Sequence, residues 1–368
     1  MNKFDIKVQG NDPYGALIES AIKMSFPNIS SMDGKQVLDA VTSELVGTSQ
    51  IRFGPAPNPE SLVAIRSVIR NAIHDGRPIP ILVPWGSKKT DSTRSVDIAE
   101  LCAIKTLNCL NTRICNFYPA GAVFAVRLED LSGYYLFEDE GEVARKSSVK
   151  YCNDFVNLIY ALELNSVINP IKETDLCEET VFNATCDFFQ PMLLEYLQES
   201  DKNGIEKSVE MLSYQKLLKS GWVGTIPLEQ RSYYYSRYEK VYHANFETQQ
   251  IKLSRYLAAS ISRYKLGMKG NPQHWGSDFI YLAFVPAVPG IPESLVSKRL
   301  YYRAIHAKYT RDHVIPWRGR GYLRIFNDNT VTPAIASFGV EQEYIKSEVE
   351  ISGRHGTKAT LMIDYVLK

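Results

Sequence analysis

The stretch Ile81-Leu82-Val83-Pro84-Trp85-Gly86-Ser87-Lys88-Lys89 decides how the rest of the chain is read. It follows the turn-forming Asp75-Gly76-Arg77-Pro78 and continues an apolar, β-branched run that begins at Ile79. A short continuous apolar run of this kind is typical of a strand buried on both faces, as in a parallel sheet. The strand then ends in a large aromatic ring, a glycine, a hydroxyl and two cations. Such a set of groups suits a small anionic or carbonyl-bearing ligand.

The neighbouring segments supply the rest of the pattern. Asn58-Pro59-Glu60 is a helix start: Asn as cap, Pro at the first helical position, Glu in the first turn. Leu62, Ile65, Val68, Ile69 and Ile73 then make one apolar stripe, and Gly76 ends the helix. Beyond the polar stretch 90–95 a second helix begins near Asp97, with Ile98, Leu101, Ile104, Leu107 and Leu110 at helical spacing. Tyr118-Pro119-Ala120-Gly121 turns into a second strand-forming run, Ala122 to Leu128. The order helix, strand, loop, helix, strand is the grammar of a parallel α/β sheet.

The expected fold is therefore α/β: a Rossmann-like, mostly parallel sheet flanked by helices, with a mixed α+β C-terminal part. Residues 1–150 are expected to form the α/β core with its strand-end ligand loop. Residues 151–270 read as mostly helical. Residues 271–368 read as a β-rich part packing on the core, with strands at Tyr322 to Phe326 and Ala359 to Leu367. In open α/β sheets ligands bind beyond the carboxyl ends of the strands, where the Pro84-to-Lys89 loop belongs.

Composition narrows the function classes. The chain has 368 residues, 45% of them hydrophobic and 23% charged, which is ordinary for a globular protein with a full core. No apolar stretch reaches the eighteen or so residues of a membrane span, and Met1 to Gly15 lacks the apolar core of a secretory signal. A cytoplasmic protein is expected. The six cysteines include no C-x-x-C pair and no histidine at zinc-site spacing, so they read as small buried hydrophobes and no metal is expected. Neither G-x-x-x-x-G-K-[ST] nor a strand-following G-x-G-x-x-G occurs, and no cofactor is expected.

The net charge of +1 conceals an asymmetry. Residues 121–204 carry 6 Lys/Arg against 16 Asp/Glu, a balance of −10, and residues 205–330 carry 19 against 9, a balance of +10. The two parts can attract each other, within one chain or between copies in a homo-oligomer, or the basic part can hold an anion.

Two constellations carry candidate chemistry. At the strand end, Lys88 can contact a phosphate or, with a lowered pKa, attack a carbonyl. Ser87 and Lys89 can serve the same ligand, and Gly86 permits close backbone approach. The second is Pro316-Trp317-Arg318-Gly319-Arg320-Gly321, preceded by His306 and His313. Its arginines can clamp an oxyanion, and its histidines suit proton transfer near neutral pH. The bland alternatives are a solvated loop and a basic hairpin. A third stretch, Arg231 to Tyr264, interleaves tyrosines with cations in a way that can stack bases. Tyr234, Tyr238 and Tyr242 also fall on one helical stripe, which is more simply a half-buried face.

Residues 76–131 resemble the isocyanide (isonitrile) synthase family of dityrosine and pyoverdine biosynthesis. The resemblance rests on Gly76-Arg77-Pro78-Ile79, the loop Pro84-Trp85-Gly86-Ser87-Lys88-Lys89, the helix start Val96-Asp97-Ile98-Ala99-Glu100, and the turn Tyr118-Pro119-Ala120-Gly121. Ile305-His306 and Pro316-Trp317-Arg318-Gly319 are faintly similar to later signatures. Gly86 replaces a proline of the family pattern, Lys89 a serine and Arg318 a histidine. The resemblance implies a metal-independent, Rossmann-like enzyme that condenses an amino acid's α-amine with the ketone of ribulose 5-phosphate. It implies catalytic roles for Lys88, Asp97, Glu100 and His306, and substrate or anion contacts from Trp85, Ser87, Lys89, Trp317, Arg318 and Arg320. Two other classes stay open: a nucleic-acid-binding or -modifying protein using the basic, tyrosine-rich part, and a structural or assembly protein without catalysis.

Overall fold

A computed structural model describes residues 7–8, 18–19, 32–47, 57–86, 95–131, 141–199, 278–284, 298–305, 315–328, 330–337 and 344–367, with parts of 251–268. Strands are numbered in chain order from β1 (Lys7–Val8). The first sheet comprises β2 (Ile79–Trp85), β3 (Ala122–Leu128), β4 (Ile168–Lys172), β5 (Ile280–Ala283) and β6 (Arg299–Tyr301), in the order β4-β3-β2-β5-β6. Every pairing in it is parallel. The second sheet adds β7 (Gly319–Ile325), β8 (Val331–Ser337), β9 (Ile345–Ser352) and β10 (Lys358–Leu367), in the order β1-β9-β10-β7-β8. There β10 and β7 are parallel and the other pairs antiparallel. This is the expected α/β fold with a mixed C-terminal part. The parallel sheet also recruits β4 from the stretch read as mostly helical, and β5 and β6 from well beyond it.

The helices are α1 (Gly34–Val46), α2 (Pro59–His74), α3 (Ile98–Cys115), α4 (Gly141–Ala161), the single turn α5 (Glu173–Leu176) and α6 (Glu179–Glu199). Asn58 caps α2 as its sequence demands, its Oδ1 accepting from Ser61 N at 2.7 Å, with Pro59 in the first turn. Gly76 sits at φ +64°, the left-handed conformation that releases the chain into β2. The Asn58→Ala change should cost about 1 kcal/mol, the usual worth of such a cap. A lowered thermal midpoint with an unchanged fold would be the readout.

Alternation along β2 divides the core. Ile81, Val83 and Trp85 face the large core, together with Phe124, Val126 and Leu128 of β3 and the apolar faces of α2, α3 and α4. Leu82 and Ala125 face the opposite side, where Phe279 and Tyr281 meet them. Helices α3 and α4 are shared between the two sheets, since α3 packs on β3, β7 and β8, and α4 on β4 and β10. That shared position explains why α3 is buried nearly all round, including Glu100, Asn108 and Asn111. All six cysteines are free thiols; Cys102, Cys115, Cys152 and Cys186 are buried as expected, whereas Cys109 is exposed and Cys177 half-buried. Among the described residues, no helix is long and apolar enough to cross a membrane.

Candidate functional site

The strand order places a site before any side chain is considered. From β2 the chain moves outward through β3 to β4, then returns to the other flank of β2 for β5 and β6. The point where the order reverses lies at β2, and the crevice beyond the carboxyl ends of such strands is where open α/β sheets bind ligands. Strand β2 ends in Trp85, and β5 runs directly into Phe284.

These two rings meet at 5.8 Å between centroids, and Trp317 joins them at 5.0 Å from Trp85 and 6.3 Å from Phe284. Trp317 comes from a one-turn 3-10 helix, Pro316–Arg318, that leads straight into β7. Phe155 of α4 closes the group at 4.6 Å from Trp85. Gly86 makes the arrangement possible. A Cβ there would stand 2.2 Å from Trp317 Nε1, so any other residue would push the indole away.

Trp85 is fixed by a buried polar chain. Its Nε1 donates to the Tyr151 hydroxyl at 3.0 Å, and that hydroxyl donates to Glu100 Oε1 at 2.9 Å. Glu100 Oε2 accepts from Asp97 N at 2.8 Å, while Asp97 Oδ1 accepts from Ala99 N at 2.7 Å. Asp97 and Glu100 thus form a capping box at the start of α3. Asp97 Oδ1 also accepts from Gly321 N at 3.2 Å, which ties the helix start to β7. Burial, reinforced by the Glu100 charge, holds the Tyr151 phenol well above its ordinary pKa, so it stays neutral and can donate.

A second cluster lies at the ends of β3 and β4. Arg263 pairs with Glu129 (Nη2 to Oε1, 3.2 Å), just past β3, and with Glu173 (Nε to Oε1, 2.7 Å), just past β4. Burial alone would lower the Arg263 pKa, but Glu173 and Glu129 outweigh it and hold the guanidinium more firmly charged than usual. Asp130 accepts from Thr174 N and Oγ1 at 3.2 and 2.6 Å. Burial still raises its pKa above the usual carboxylate value. Arg127, the penultimate residue of β3, completes the cluster.

The residues picked out from the sequence divide three ways. Trp85 and Trp317 meet, and Asp97 and Glu100 join them through Tyr151. Arg320 stands on β7, where its Nε and Nη2 both reach the buried Asp364 Oδ2 at 2.5 Å and its guanidinium lies 4.0 Å over the Tyr344 ring. Ser87, Lys88, Lys89 and His306 lie outside the described residues, as does the Arg318 side chain. Sequence reasoning missed Tyr151, Phe155, Phe284 and the Arg127 cluster. One signal for the cluster was available: Ala122-Val-Phe-Ala-Val-Arg-Leu-Glu-Asp130 puts three charges in and after an otherwise apolar strand.

The fold and site define a class: an α/β protein with a cluster of buried aromatic rings at the switch point of its parallel sheet. No protein-family model matches the chain, and no curated protein matches it. Among solved structures, the crystal structure of the PvcA protein from Pseudomonas aeruginosa is similar at 17% identity and a TM-score of 0.49. The match covers 90% of this chain and 99% of that one.

Proposed function

We propose that the protein is an enzyme acting at the carboxyl end of β2, and that it joins an amino-acid amine to the ketone of a phosphorylated sugar in the manner of the isocyanide synthases. The observation that carries this reading is the meeting of Trp85, Phe284 and Trp317 at the switch point, where the chain continues into Ser87-Lys88-Lys89. An aromatic wall followed in sequence by a hydroxyl and two cations suits a substrate with an apolar body and an anionic end. In this reading Lys88, with Ser87 and Lys89, holds the sugar phosphate. His306 moves protons, and Arg318 supplies further positive charge. Asp97 and Glu100 act through Tyr151 by holding Trp85 in place.

The test is a thermal-shift titration with ribulose 5-phosphate, paired with mass-spectrometric detection of an isonitrile product from aromatic amino acids. At a ligand concentration 100-fold above Kd the native state gains about 2.7 kcal/mol, a readily measured rise in midpoint. The Lys88→Ala variant should lose that rise. A shift given by single-stranded DNA alone, steep in salt and indifferent to Lys88, would replace this reading with a nucleic-acid one. The tyrosines of the stretch behind that alternative lie outside the described residues, and Arg263 within it is paired with Glu129 and Glu173.

A further inference from the structure

We infer that Arg127 is the seat for a substrate oxyanion, a carboxylate or a phosphate, at the carboxyl end of β3. The observation is an arginine that is 95% buried yet barely bonded. Its relative exposure is 5%, its Nη1 donates to the Met268 carbonyl at 2.9 Å, and its buried Nε has no acceptor among the described residues. A guanidinium carries five N–H donors, and proteins rarely bury one without giving it a carboxylate. Here the two nearby carboxylates, Glu129 and Glu173, make their direct ion pairs with Arg263 and reach Arg127 only through their charge.

The position is consistent with a ligand contact. Arg127 pairs in register with Pro84 of β2, next to Trp85, and with Ile171 of β4, so it stands at the same strand ends as Trp85 but on the opposite face of the sheet. It shares its sheet face with Ala125 and Tyr281, and its Nη1 reaches the Met268 carbonyl there. Burial first, and then the positive charge of Arg263, depress the Arg127 pKa, outweighing the opposite pull of Tyr281, Glu173 and Glu129. Glu129 and Glu173 both bond to Arg263, which leaves the Arg127 guanidinium without a directly bonded carboxylate. A planar oxyanion accepting from Nε and Nη2 of one guanidinium gains two parallel bonds, a geometry lysine cannot reproduce.

The inference rests on the enzyme reading only for its choice of probes. Binding of ribulose 5-phosphate, L-tyrosine and inorganic phosphate would be measured by calorimetry on the wild type, Arg127→Lys and Arg127→Gln, with the ligand-free melting midpoint of each. At least one probe should bind the wild type, weaken roughly tenfold in Arg127→Lys and fail to bind Arg127→Gln. The Arg127→Lys midpoint without ligand should stay close to wild type, because the charge is kept. Tyrosine binding identifies a carboxylate seat; binding of either phosphate compound identifies a phosphate seat. Equal affinity across the three proteins, or no binding by any probe at millimolar concentration, overturns the proposal. So does loss of binding in Arg127→Lys that only tracks a collapse in its midpoint. Arg127-dependent binding without any isonitrile product would instead overturn the enzyme reading and leave the seat standing.

Discussion

Gly321→Ala should be among the most damaging single-methyl additions available to this protein, with an expected loss of about 3 kcal/mol or more. The added Cβ would stand 2.2 Å from Ala99 N, 2.6 Å from Asp97 Oδ1 and 2.7 Å from the Ile98 carbonyl carbon. Two of those three atoms are backbone, and they belong to the first turn of α3, which cannot swing aside like a side-chain tip. The Gly321 amide also donates to Asp97 Oδ1, so relieving the clash means breaking the bond that joins β7 to the helix start. Equilibrium urea unfolding, with the thermal midpoint, would measure the loss. Gly34→Ala is the control: it opens α1 with nothing within 4 Å of its would-be Cβ, and alanine is the better helix former. Its midpoint should stay level or rise. A Gly321→Ala protein melting with the wild type would show that the two sheets are not locked together at this point.

The contrast between these glycines explains what the sequence could disclose. Elements set by local rules were legible: the Asn58 cap, the apolar stripe of α2, the buried run of β2, and the turn at Gly121, which adopts φ +64°. Each depends on residues a few positions apart. The site was legible only in its outer members, Trp85 and Trp317, because an aromatic beside glycine is a local sign of tight packing. Phe284 and Tyr151 carried no such sign. They reach Trp85 through the strand order and through α4 docking on the sheet, contacts that span 199 and 66 positions. Asp97 and Glu100 looked like candidate acids in the sequence, but the same spacing of three is also that of a capping box, which is how the structure uses them. Arg127 shows the converse. In the sequence it is one charge in a strand; only the parallel register, the pairing of Arg263 with both glutamates and the depth of burial make it conspicuous.

The second large effect concerns Glu100, where three separate losses fall on one substitution. In Glu100→Ala the Asp97 amide loses its capping acceptor, a change worth about 1 kcal/mol. The Tyr151 hydroxyl, on a residue 1% exposed, loses its acceptor, which costs a further 1–3 kcal/mol or so. The vacated side-chain volume leaves a void in a fully buried setting, where Glu100 has 0% exposure. Since the three share atoms they will not simply add, and a total of about 3–4 kcal/mol is expected. Tyr151→Phe keeps the ring and the capping box while removing the hydroxyl between Trp85 and Glu100, and should cost less, roughly 1–2 kcal/mol. A double-mutant cycle separates these contributions. If the chain Trp85–Tyr151–Glu100 acts as one unit, Tyr151→Phe in the Glu100→Ala background should cost clearly less than it does in the wild type. Strict additivity would mean that Trp85 is positioned by its ring contacts alone. Ligand binding gives an independent readout, because Tyr151→Phe removes the acceptor of the Trp85 indole N–H, next to the proposed ligand loop. Its effect on binding should exceed what its small loss of stability accounts for.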